Sequence, residues 1–96
     1  MSGHVISPAA AADLHAIWDY GEERWGIDQA DLYARSLQRA IATVAGDPRR
    51  GRPCDEVRPG YLKFAVGVHM LFYRPYPDGI DIVRVLHQRM DFGRYL

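Results

Sequence analysis

At 96 residues the chain has room for one domain, which at this size buries roughly 60–65% of its unfolded surface. Apolar residues make up 48% and are spread along the whole length, which excludes an intrinsically disordered chain. The net charge is zero, but it is divided. Residues 1–46 carry three Arg against six acids, a net of −3, and residues 47–96 carry eight Arg and Lys63 against six acids, a net of +3. A cationic second half points to an anionic partner.

Cys54 is the only cysteine, which excludes an internal disulfide and fits a reducing compartment. No stretch approaches the ~20 apolar residues of a membrane span. Met1-Ser2-Gly3-His4 lacks the basic-then-apolar pattern of a secretion signal. The expectation is a cytoplasmic globular protein that does not engage a membrane.

The first strand candidate is His4-Val5-Ile6. Ser7-Pro8 reads as an N-cap followed by the first helical residue, because proline has no orphan N–H to satisfy there. Leu14, Ile17, Trp18, Gly21 and Trp25 form one stripe of a helix ending near Gly26. Trp18 and Trp25, seven apart, are expected to anchor that helix on a sheet, and Tyr20 and Tyr33 to join the core. A second helix is expected from Asp28, as its cap, with Asp31 in the first turn. Ala30, Tyr33, Leu37, Ala40, Ile41 and Val44 lie on one face, and Gly46-Asp47-Pro48 is a stop signal. So short a connection predicts an antiparallel helical hairpin.

Arg49 to Gly60 is broken by Gly51, Pro53 and Pro59 and reads as an exposed loop. Strand-like runs follow at Tyr61–Val66, His69–Tyr76 and Ile80–His87, with Gly67-Val68 and Asp78-Gly79 as turns. The fold expected is α+β: β-α-α-β-β-β, a helical hairpin packed on a small antiparallel sheet, in one domain over residues 1–96. The sequence leaves open which sheet edge the first strand joins. The nine-residue tail from Gln88 to Leu96 either docks on the sheet or is offered to a partner.

Three stretches carry a family resemblance. They are Ile17-Trp18-Asp19-Tyr20 with Arg24-Trp25-Gly26; the run from Gly51 to Tyr61 leading into His69-Met70-Leu71-Phe72-Tyr73-Arg74; and Ile82 to Asp91. In this order they resemble the ParE toxins of the RelE/ParE superfamily over almost the whole chain. The resemblance implies the toxic half of a type II toxin–antitoxin pair that binds DNA gyrase and traps it with its DNA cut. It implies no cofactor and no covalent chemistry of its own. It also implies neutralisation by a ParD-like antitoxin, a ribbon-helix-helix DNA-binding protein whose C-terminal segment folds along the toxin. DNA would then be contacted only indirectly, through antitoxin or gyrase.

The alternative within the superfamily is a ribosome-dependent mRNA endoribonuclease of the RelE type. His87 could act as acid or base, with Arg74, Arg84 or Arg89 holding the phosphate. RelE-like nucleases tend to carry several lysines in the middle strands, whereas this chain has only Lys63, and Gln88 follows His87 where an aromatic is usual. The plainer role for His87 is a strand-end histidine hydrogen-bonded to the loop before it. A third reading is a non-toxic antitoxin-binding module.

The residues expected to matter for the target are Arg84, His87, Arg89, Met90 and Asp91; those expected to meet the antitoxin are Leu14, Trp18, Leu37, Arg58 and Arg74. Arg49, Arg50, Arg52 and Arg58 crowd one loop, either as a solvated face or as contacts for an acidic partner. Cys54 and the four histidines lack metal-ligand spacing, so no metal site is expected.

Overall fold

A computed structural model describes residues 3–96. Strand β1 (His4–Ile6) leads into helices α1 (Pro8–Trp25) and α2 (Ile27–Gly46). A 3₁₀ turn (Pro48–Arg50) and a two-residue strand β2 (Arg52–Pro53) follow. Then come β3 (Leu62–Val66), β4 (His69–Tyr76), β5 (Gly79–His87) and a closing 3₁₀ turn (Phe92–Arg94).

The five strands form one sheet in the order β1-β5-β4-β3-β2. The expected antiparallel meander is present, but β1 joins β5 in parallel, pairing His4 with Ile80 and Ile6 with Ile82. The sheet is therefore mixed. Parallel pairing needs a long connection, and here both helices and strands β2 to β4 intervene before β5 returns beside β1.

Ser7 turns the chain from sheet to helix. Its backbone N–H donates to Ile82 O (3.0 Å), its hydroxyl donates to Val83 O (2.8 Å), and the same oxygen accepts from Ala10 N (3.0 Å). At the hairpin tip Gly26 has φ +89°, ends α1 through its N–H on Glu22 O, and accepts from Ala30 N. One glycine thus serves both helices. Asp28 consequently lies inside the first turn of α2 and is not its cap as expected.

The sheet has two covered faces. Leu71 and Tyr73 of β4 and Ile80, Ile82 and Val85 of β5 meet Leu37, Ile41 and Val44 of α2. On the other face Phe72, Leu86 and Cys54 pack with Tyr61, Met70, Met90, Phe92 and Leu96. The tail is therefore docked, with Phe92 edge-to-face on Phe72 at 4.7 Å between centroids. The switch of face along β5 comes from a bulge: Tyr73 pairs with Ile82 but Phe72 with Arg84, leaving Val83 extra. Alternation alone would send Arg84 to the same face as Ile82. The extra residue instead turns Val85 and His87 toward the helices and Arg84 and Leu86 toward the tail.

Three further expectations are corrected. Trp25 is 63% exposed and Tyr20 52%, because α1 overhangs the sheet at that end; the two rings meet edge-on at 5.8 Å, and the Arg24 guanidinium lies over Tyr20 at 5.5 Å. The loop from Arg49 to Gly60 is exposed at its arginines yet buries Gly51 and Cys54. The Tyr73 hydroxyl donates to Pro48 O (2.6 Å) and fills the space beside Gly51. Finally, the β4–β5 turn is Pro77-Asp78, since Gly79 already pairs with Tyr76.

Gly79 is required for closeness. A Cβ there would run into the Gly3 carbonyl oxygen, which accepts from Ile80 N at 3.1 Å. Gly79→Ala is expected to cost about 1–3 kcal/mol through overpacking. Gly46→Ala, where a Cβ meets nothing within 4 Å, is expected to be neutral or stabilising. Urea unfolding of both variants measures the difference.

Candidate functional site

The inward faces of α1 and α2 are not fully used by the sheet. Beyond the sheet's end they enclose a groove of about 1220 Å³, larger than the roughly 300–1,000 Å³ of small-molecule pockets. Leu14, Ile17 and Trp18 supply one wall, Ala30, Ala34 and Leu37 the other. Gly67, Val68, His69 and His87 close the end. No Asp, Glu, Lys or Arg is among its lining residues.

Trp18 is half-buried, with its Nε1 donating to Asp31 Oδ1 at 3.2 Å on the exposed side, which ties α1 to α2. Leu37 is buried at the floor, and Leu14 packs against the core from the wall. Of the residues expected to meet an antitoxin, these three come together here. Arg58 and Arg74 do not. Arg58 is exposed in the loop, and Arg74 is exposed on β4, donating to Asp81 Oδ2 at 3.1 Å.

The groove's end is built by three aromatic side chains. Tyr33 Oη lies 2.6 Å from His69 Nδ1 and 3.2 Å from Val66 O. Both contacts hold at once when His69 Nδ1 carries the proton and Tyr33 donates onward to the carbonyl. His69 and His87 stand opposite each other in register on β4 and β5, their rings edge-to-face at 5.5 Å. His87 Nδ1 accepts from Arg89 N at 3.1 Å, so the proton of its neutral ring sits on Nε2. The loop it bonds follows it in sequence, not the loop before it as expected.

The residues expected to serve the target separate. His87 faces the groove; Arg89 and Asp91 are exposed in the turn after β5; Met90 packs into the tail-side core. Arg84 is not free. Its Nε and Nη2 both donate to the Asp13 carboxylate at 2.8 Å, and that pairing raises its pKa. The four loop arginines are exposed, and Arg49 pairs only with Asp47 in solvent. No group of three metal-binding side chains exists among the described residues, and no described helix is long and apolar enough to cross a membrane. Burial pushes the Cys54 thiol up, which keeps it protonated and unreactive.

Two participants escaped the sequence reading. His69 opens a strand, and nothing in one sequence shows that Tyr33, 36 residues earlier, will reach it. Asp13 sits beside the apolar stripe of α1 and reads there as an ordinary surface acid.

Burial and the neighbouring His87 lower the pKa of His69, while Asp13 raises it less. Tyr33 and Asp13 are the other titratable groups that act on it. Folding therefore favours the neutral imidazole. The unfolded chain binds the proton more readily, so this contribution is complete above about pH 6.5 and is lost as pH falls below it. Stability measured by chemical unfolding between pH 7.5 and 5 is expected to drop less in His69→Gln than in the unsubstituted chain. Tyr33→Phe is expected to cost about 1 kcal/mol at pH 7.5 by removing a half-buried hydrogen bond.

Comparison with known proteins agrees with this architecture. Residues 5–92 match the family described as the ParE toxin of the type II toxin–antitoxin system parDE. Toxin ParE1 of Mycobacterium tuberculosis strain H37Rv is 57% identical over 96 residues, covering 99% of this chain and 98% of that protein. Toxin ParE1 of Caulobacter vibrioides is 44% identical, covering 100% and 99%. A solved chain of the chromosomal ParDE system from P. aeruginosa shares the fold, with a TM-score of 0.79 at 22% identity over 91% of this chain and 96% of that one. The chain belongs to the ParE toxin family of type II toxin–antitoxin systems.

Proposed function

We propose that the chain is a toxin that acts by binding, inhibiting DNA gyrase through its C-terminal segment, and that a ParD-like antitoxin neutralises it by docking in the groove. The observation that carries the antitoxin half is the charge-free groove between α1 and α2, with Trp25 and Tyr20 exposed at its open end. An α-helix with side chains is ~10–12 Å across. An amphipathic helix laid along the hairpin would cover Leu14, Trp18 and Leu37 with apolar side chains at i, i+3, i+4 and i+7. Arg58 and Arg74, outside the groove, would meet acidic residues of the chain that continues beyond it.

The target half rests on the family resemblance and on the chemistry of the C-terminal region. Arg84, His87, Arg89, Met90 and Asp91 are proposed to serve the target, some by contact and some by support. Binding is favoured over RNA cleavage by the state of two of the groups a nuclease could use. The Arg84 fork is engaged by Asp13, and the His87 Nδ1 by the backbone of its own turn. DNA would be met only through gyrase or the antitoxin.

Two measurements test this. Purified chain is expected to inhibit gyrase supercoiling, and removal of residues 90–96 to weaken inhibition at least tenfold; full-length chain that leaves supercoiling untouched at large molar excess refutes the target. For the antitoxin, Trp18→Ala is expected to weaken the complex about 100-fold, as for a central aromatic anchor of an interface. Arg58→Ala is expected to weaken it no more than about fivefold, the effect of a rim charge. Equal effects would remove the groove from the interface.

A further inference from the structure

Arg84 is among the residues expected to matter for the target, yet its guanidinium is turned inward. Two of its nitrogens donate to both oxygens of Asp13, on α1, at 2.8 Å. The third, Nη1, donates to Tyr95 O at 3.1 Å, and the guanidinium carbon lies 5.7 Å from the centre of the Tyr95 ring. Asp13 Oδ2 also accepts from Val85 N at 2.9 Å, so one carboxylate receives three donors. The pair is well shielded: the side chains of Arg84 and Asp13 are 22% and 13% exposed.

We propose that Arg84 is a positioning residue for the C-terminal segment, oriented by Asp13, so that one side chain ties the helix forming the groove's wall to the tail. The polar connections of the tail support this. Among the described residues, the other hydrogen bonds of residues 91–96 close within their own turn, from Arg94, Tyr95 and Leu96 back to Asp91 and Phe92. The Arg84 bond to Tyr95 O is the one that leaves it. Phe92 and Leu96 hold the segment by apolar contact, which is non-directional and leaves its angle free. The guanidinium supplies the direction. Its planar fork serves a carboxylate and a carbonyl at once, which a lysine ammonium cannot do with the same geometry. Asp13 in turn is held by the Val85 N–H, on the strand that carries Arg84 itself.

Asp13 neighbours Leu14, a residue of the groove wall. The same clamp therefore joins the surface proposed for the antitoxin to the segment proposed for the target. That functional consequence rests on the gyrase reading, whereas the clamp can be tested without it.

The experiment compares the unsubstituted chain with Arg84→Lys and Asp13→Asn by amide hydrogen exchange and by gyrase supercoiling. Exchange in residues 91–96 is expected to accelerate at least tenfold in both variants, with β4 and α2 unchanged. The concentration needed to inhibit gyrase is expected to rise at least tenfold. Tail exchange that stays the same, or that rises only together with the whole molecule, overturns the proposal. Arg84→Lys keeps a cation beside Asp13, so it provides the decisive comparison if Asp13→Asn does not fold. Inhibition that survives a loosened tail overturns the link to activity. Should the unsubstituted chain fail to inhibit gyrase, the target assignment falls and the exchange result alone decides the clamp.

Discussion

The two faces of this molecule are separated by a single extra residue in β5. Val83 breaks the alternation between Ile82 and Arg84, so one strand supplies Ile80, Ile82 and Val85 to the helices and Leu86 to the tail. Without that bulge Arg84 would point under the helical hairpin, where a charge has no partner and its burial costs several kcal/mol. With it, the guanidinium emerges at the strand's outer edge, within reach of Asp13 and Tyr95. The bulge also orients His87 toward the groove. Antiparallel sheets place bulges at edges for this purpose, to re-aim a side chain and end a ladder.

The outer edge of β5 is the second consequence. β1 covers it only from Ile80 to Ile82. Beyond that point Ser7 takes Val83 O and Asp13 takes Val85 N, so side chains complete what a longer strand would have done. An edge treated this way cannot easily pair with another chain. The short β1 thus leaves space for α1 to lie against the sheet, and α1 repays the sheet's open hydrogen bonds through one serine and one aspartate.

Much of this architecture is legible in the sequence alone. Ser7-Pro8 at the start of α1, Gly46-Asp47-Pro48 at the end of α2, and the three strand runs all rest on local chemistry, and local chemistry is what a sequence displays. The failures are non-local or concern single residues. Trp25 keeps the helical phase of Trp18, but phase cannot reveal that α1 outruns the sheet. Asp-Gly suggests a primed turn, whereas Gly79 is needed because Gly3, 76 positions earlier, passes against it. The groove was legible only in part: Leu14, Trp18 and Leu37 lie on the expected stripes, but Tyr33 finding His69 depends on tertiary packing. Arg84 was singled out by motif, yet its partner Asp13 was hidden among surface acids. A bulge is invisible to any reading that assumes strict alternation.

The groove leaves an apolar surface open between the two helices. Its walls expose large apolar rings at one end and hold no fixed charge, so an isolated chain keeps a wetted apolar surface that most monomeric proteins cover. Filling it by collapse would require α1 and α2 to close on each other. Gly21 against Ala30 already brings them close near the tip, and the Trp18–Asp31 bond sets their separation beyond it. The hairpin is therefore tied at two points along its length. A flexible segment that becomes helical on entering loses chain entropy, and the apolar area it covers has to offset that loss. In the antitoxin reading proposed above, walls already tied to each other need little reshaping, so what remains after ordering the ligand would appear mainly as slow dissociation. In that reading an uncharged groove with tied walls suits an occupant that stays, as the neutralising partner of a toxin must.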